Sequence, residues 1–202
     1  MGGANVHDGH AAAVGEGRRT RRHDPRRRER VLDAALEVLV EDGVAGITHR
    51  KVAVRADVPL GSVTYHFASL AELRAQAFAW YVEQRTAEYE ALFTEVASRE
   101  DLVDVLVGQV EGGPSRYRSA VLGFELHLAA LRDPALRALT QRWTAASRTV
   151  LARFTGPQTA ARLDALLEGM IMQALLSTDR QPSECIRAAI MQALGAAGGP
   201  GA

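Results

Sequence analysis

Apolar residues recur along this chain at intervals of three and four, and no stretch alternates in the manner of a half-buried strand. That period lays them along one face of a helix. The first such stretch, residues 25–41, carries Val31, Leu32, Ala35, Leu36 and Leu39, opens on Pro25 and is stopped by Asp42-Gly43. Thr48 is a good N-cap for a second, short helix with Val52, Ala53 and Ala56 on its apolar face. Asp57-Val58-Pro59 interrupts the pattern: Asp tolerates the left-handed conformation that a tight turn needs, and proline begins helices more readily than it continues them. Leu60 to Phe67 makes a third helix, with Val63 and Phe67 facing the core.

Ser69 and Glu72 have the spacing of a capping box. They open a long helix predicted to reach residue 97, about 40 Å at 1.5 Å per residue. Leu73, Ala77, Trp80, Tyr81, Gln84 and Leu92 follow its spacing imperfectly. Five more helices follow, over residues 101–111, 115–132, 134–154, 157–177 and 182–194, separated by Gly-Gly-Pro, Asp-Pro and Gly-Pro punctuation. The fold class is all-α: an N-terminal three-helix helix-turn-helix domain (25–68) followed by a larger helical domain (69–195). Residues 1–24 read as a disordered Arg-rich arm and 196–202 as a disordered tail.

Composition narrows the function. The 202 residues are 47% hydrophobic and carry no formal net charge, which argues against indiscriminate coating of nucleic acid but leaves room for a local basic face. Arg18, Arg19, Arg21, Arg22, Arg26, Arg27, Arg28 and Arg30 crowd one stretch, opposed by Asp24 and Glu29. Such a run is either a solvated tail or an arm that neutralises phosphates. The single cysteine, Cys185, forbids an intrachain disulfide. With no membrane-length apolar run and no signal-peptide core, a cytoplasmic protein that does not engage the membrane is expected. The six histidines (His7, His10, His23, His49, His66 and His127) form no metal-spaced pair with a carboxylate, and no phosphate loop or nucleophile elbow is present. No enzyme activity, metal or cofactor is expected.

The Val52-Ala53 pair, Gly61-Ser62 before the third helix, Tyr65-His66-Phe67 closing it, and the capped Glu72-Leu73 resemble, in order and spacing, the DNA-binding domain of the tetracycline-repressor (TetR) family. The resemblance covers residues 26–78. Beyond it, the body resembles the family in layout alone. Asp57 stands where the family usually has glycine, Leu70 where it usually has a phosphate-touching lysine, and Thr64 where an aromatic is common.

The resemblance implies a dimeric regulator that reads double-stranded DNA as an inverted repeat, its two reading helices about 34–36 Å apart. Base contacts specify a site and phosphate contacts position the protein. Arg50 is the best candidate for a guanine edge, and Thr48, at a helix N-terminus, for a phosphate. His49 and Lys51 flank them, with Lys51 suited to a phosphate. Leu60, Gly61, Ser62 and Thr64 lie on the reading helix. Tyr65 and His66 either face the backbone or pack the third helix onto the first. Arg26, Arg27 and Arg28 are candidate backbone contacts from the arm. In the body, the last two long helices would pair with their mates in a homodimer, with Ala165, Gly169 and Ala174 permitting close approach. A small, mostly apolar effector would be lined by Trp80, Phe124, His127, Trp143 and Met170, with Glu125 as a further polar group. The alternative is a DNA-bound scaffold of the same fold that recruits a protein partner and senses no small molecule. If the arm neutralises phosphates, removing residues 1–24 lowers affinity for DNA of every sequence and flattens its salt dependence, as titrations at several salt concentrations would measure. An unchanged slope would sink the arm hypothesis.

Overall fold

The structure is a computed structural model that describes residues 26–179 and 181–195; the arm over 1–24, Pro25 and the tail over 196–202 lie outside the described residues. Among the described residues all regular structure is helical: α1 (Arg27–Gly46), α2 (His49–Arg55), α3 (Leu60–His66), α4 (Leu70–Leu92), α5 (Arg99–Glu111), α6 (Pro114–Ala130), α7 (Pro134–Thr155), α8 (Pro157–Leu176) and α9 (Ser183–Gly195).

Local chemistry sets the boundaries. Gly43 adopts φ 68° and breaks α1 where the sequence predicts a stop. Thr48 Oγ1 accepts from the Lys51 N–H at 3.1 Å and so starts α2. Asp57 is left-handed at φ 51°, and the Val58 N–H donates to the Ala53 carbonyl at 3.0 Å to close the turn into α3. Ser69 caps α4 by accepting from the Glu72 N–H at 3.1 Å. The reciprocal half of the predicted box is displaced by one residue, because the Glu72 carboxylate accepts from Ala68 N–H at 2.9 Å.

Several predicted boundaries need correction: α1 runs on past the break at Gly43 to Gly46, and α6 ends at Ala130, not at residue 132. Helix α4 ends at Leu92, not near residue 97, and spans 23 residues, about 34 Å. Helix α5 begins at Arg99, two residues before its predicted start, because Ser98 and Asp101 form a complete capping box.

The apolar stripe of α1 is the centre of one core. Val31, Leu32, Ala35 and Leu39 are buried against Val52, Val63 and Phe67 of the turn motif and Leu73 and Phe78 of α4. The same core continues into Leu122 and Leu126 of α6 and Leu136 and Leu139 of α7. It therefore crosses residue 68, where the sequence places a domain boundary. A second core joins Tyr89 and Phe93, at the end of α4, to α5, α7, α8 and α9 through Leu106, Leu151, Leu163, Leu167 and Ile190. Trp143 of α7 packs against both.

Polar ties reinforce the joint between head and body. Trp80 Nε1 donates to Asp33 Oδ1 at 2.8 Å, linking α4 to α1. The backbone N–H of Val44, freed by the break at Gly43, donates to Glu125 Oε2 of α6 at 3.1 Å. Arg28 donates to Gln76 and lies over the Phe67 ring, 5.8 Å from its centroid. Gly123 permits a close approach: a Cβ there would lie 3.3 Å from the Tyr81 hydroxyl, which donates to Ser119 O at 2.7 Å.

The turn at Asp57 gives a direct stability test. Replacing it with valine, which resists φ above zero, should lower unfolding stability by about 1–2 kcal/mol. Asp57→Gly should not. Urea unfolding midpoints of the two variants distinguish these outcomes.

Candidate functional site

The short helices α2 and α3 are held by their inner residues and present their outer ones. Val52, Ala53, Val63 and Phe67 are buried in the first core, whereas Arg50, Leu60, Gly61, Thr64 and Tyr65 are exposed. Tyr65 is the extreme case at 85% exposed, with His66 edge-on beside it at 5.3 Å between ring centroids. Its ring face and hydroxyl are both open to a partner. Nothing lies within 4 Å of the space a Cβ would fill at Gly61, so a large flat surface could approach there. Arg50 is exposed with no hydrogen bond or ion pair among the described residues, leaving its whole fork for a partner.

Other predicted contacts are already engaged. Lys51 Nζ donates to Asp42 Oδ2 at 3.1 Å and Gly46 O at 3.0 Å; it closes the end of α1 where a free phosphate ligand was expected. Thr48 Oγ1 spends one lone pair on its cap and keeps its proton to donate. The Thr64 hydroxyl turns back to Leu60 O at 3.3 Å, so its methyl is the outward group. His49 is half-buried and its Nε2 is enclosed without a partner, which turns that nitrogen away from any DNA surface. Ser62 is half-buried too. In the arm, Arg28 is committed to Gln76, Arg26 is engaged, and Arg27 has its Nε buried.

The body contains a small chamber of about 90 Å³ between α4, α6, α7 and α8. Phe124, His127 and Trp143, three of the five predicted lining residues, meet there beside Tyr81, Arg85, Arg116 and Glu168. At Arg116, Ala120 and Ile171 it adjoins a cleft of about 660 Å³ between α5, α6, α8 and the segment joining α8 to α9. Through Phe124 and His127 it also adjoins an apolar groove of about 680 Å³ along α6 and α8. Trp80 and Met170 are elsewhere. Trp80 is drawn to Asp33 at the joint with α1, and Met170 is packed in the second core. A period of 3.6 leaves consecutive residues about 100° apart, so Tyr81 reaches the chamber that Trp80 misses.

Charge in the chamber comes from residues that sequence reading passed over. Arg85 donates to Gln109 Oε1 at 3.2 Å, and Arg116 donates to the same oxygen. Burial, and secondarily the like charge of Arg85, pushes the Arg116 guanidinium down to about 10. On the facing side His127 Nε2 lies 3.4 Å from Glu168 Oε1, and burial pushes the Glu168 carboxyl up against that attraction. Nearby, buried Asp164 is fully engaged by Arg148 Nε at 2.9 Å and Ser147 Oγ at 2.8 Å. Among the described residues no group of three or more His, Cys, Asp or Glu side chains could hold a metal ion, and no helix is long and apolar enough to cross a membrane.

These features agree with comparisons to known proteins. Residues 31–77 match the family of bacterial regulatory proteins of the tetR type, and residues 97–196 match a tetracyclin repressor-like C-terminal domain. A TetR-family protein of Streptomyces coelicolor A3 is 38% identical, with a TM-score of 0.71 over 84% of this chain and 98% of that one. The multidrug binding protein EbrR, solved with ethidium, is 40% identical, with a TM-score of 0.66 over 85% of this chain and 99% of its own. The transcriptional regulator CymR of Pseudomonas putida is 30% identical over 122 residues, and the match spans 60% of the length of that curated relative. The chain belongs to the TetR family of DNA-binding transcriptional regulators.

Proposed function

We propose that this regulator is a repressor that binds an inverted-repeat operator as a homodimer and leaves it when a small, mostly apolar molecule occupies the body cavity. The observation that carries the reading is the bond from Val44 N–H to Glu125 Oε2. Glu125 follows Phe124, a wall of the chamber, on α6, and its carboxylate holds the broken end of the head's first helix. A molecule that shifts α6 shifts α1, and α2 and α3 ride on α1. The shift favours release only if the molecule binds the two arrangements unequally, and a coupling of about 1–3 kcal/mol is typical. The cleft, at about 660 Å³, is within the range of small-molecule sites. EbrR, solved with ethidium, supports the same use of the fold. A filled body would favour the scaffold alternative; the cleft supports the sensing reading.

The dimer is assigned to α8 and α9. Ala165, Gly169, Met172 and Leu176 follow one exposed line on α8, and Cys185, Ala188 and Met191 follow another on α9. Leu176 is 79% exposed, and nothing lies within 4 Å of a Cβ built on Gly169. Two such faces, small and apolar, let paired helices approach closely. On the DNA, Arg50 takes a base edge, Thr48 and Tyr65 take phosphates, and Leu60, Gly61 and Thr64 lie against the groove.

Selection of bound duplexes from a random pool by the full-length protein tests this reading. The expected result is an inverted repeat with half-sites about one helical turn apart. Recovery of no motif overturns it. Gly169→Arg should disrupt the dimer in sedimentation and lose the paired half-sites. On the selected duplex, Arg50→Ala should weaken binding by about 1–3 kcal/mol and relax specificity at one base pair, measured by fluorescence anisotropy.

A further inference from the structure

The chamber carries a charge imbalance that the apolar description of the effector leaves out. Arg85 is 11% exposed, and both it and Arg116 converge on one neutral acceptor, Gln109 Oε1. Gln109 is itself buried at 4% exposed. One carboxylate, Glu88, approaches the pair, at 3.3 Å from Arg85, and it is 65% exposed to water. Two guanidiniums therefore share an amide oxygen and one solvated anion. The acids on the other walls are occupied: Glu168 by His127, Asp164 by Arg148 and Ser147, and Glu111 at the mouth of the cleft by Ser183. A buried cation without a full partner is costly, and an incoming anion would relieve that cost.

The surroundings also define the shape of the guest. The Arg85 guanidinium lies over the Trp143 ring, 5.9 Å from its centroid, so cation and apolar wall adjoin. Tyr89 meets Trp143 edge-on at 5.6 Å. Its buried hydroxyl faces Ser147 Oγ, which donates to Asp164 and keeps its lone pairs to accept. Phe124 and Ile171 complete an apolar lining. Arg116 stands where the chamber and the cleft join, so a molecule entering from the cleft meets it first.

We infer that the chamber and the adjoining cleft of about 660 Å³ together select a small carboxylate with a flat apolar body, its anionic head held by Arg85 and Arg116 and its body extending from the wall of Trp143 and Phe124 past Ile171 into the cleft. A carboxylate presents two coplanar acceptors to a guanidinium fork, which a neutral amide of the same size cannot match. The inference rests on the cavity being the effector site. It departs from the cationic dye ethidium with which EbrR was solved, because here the uncompensated charge is positive.

The test compares 2-naphthoate, its neutral analogue 2-naphthamide, and ethidium, by calorimetric titration of the full-length protein. The expected result is naphthoate bound at least tenfold more tightly than naphthamide. Arg116→Gln should bring that ratio close to one, and Arg116→Lys, which keeps the charge, should retain part of it. Circular dichroism verifies that each variant folds; should Arg116→Gln not fold, the wild-type ratio alone decides. Equal or tighter binding of naphthamide, binding of ethidium alone, or no binding of naphthoate overturns the inference. Release of the selected duplex is followed separately. If naphthoate binds with charge preference and the DNA affinity does not change, the effector reading fails and the anion site stands. If a neutral or cationic molecule releases the DNA and naphthoate does not bind, the anion site fails and the effector reading stands.

Discussion

The buried stripe of α1 is the surface on which both halves of this protein are assembled. Val31, Leu32, Ala35 and Leu39 share one core with residues of α2, α3, α4 and α6. Fully burying one such side chain contributes about 1.5–3 kcal/mol, so the stripe alone represents a large part of the stability of a domain this size. Because one helix is shared, the head has no hydrophobic core separate from the body. Its position is set by where α4 and α6 stand.

That sharing explains how a small internal event could have a remote effect without a long chain of contacts. Glu125 accepts the Val44 N–H, Tyr81 of α4 bonds Ser119 of α6, and Trp80 of α4 bonds Asp33 of α1. The three bonds close a triangle of α1, α4 and α6. Displacing one side strains the other two, since packed cores respond by shifting between arrangements and not by stretching.

Much of this was legible in the sequence, and the parts that were share a cause. Thr48, Asp57 and Gly43 act within a few residues of themselves, through caps and turn conformations that local chemistry decides. The buried Val63 and Phe67 and the exposed Arg50 and Tyr65 follow from helical spacing. What the sequence did not yield depends on meetings between distant residues. Arg85, Gln109 and Arg116 lie on three helices, and each alone resembles an ordinary solvated polar side chain. Ser98 was passed over because the apolar pattern of α5 begins only at Leu102, after its cap. Trp80 was placed in the cavity on residue type; its indole N–H, which needs an acceptor when covered, found Asp33 instead.

The chain has two tryptophans, one at the chamber and one at the joint between head and body. Trp143 forms a wall of the chamber beneath a guanidinium, and Trp80 bridges α4 to α1 through its ring nitrogen. Indole emission follows the electric field and polarity around the ring. Neutralising Arg85 would change the light from one indole, and loosening Asp33 would change the light from the other. The protein thus contains two intrinsic optical reporters, one for occupancy and one for the joint, and replacing either tryptophan with phenylalanine would isolate the signal of its counterpart.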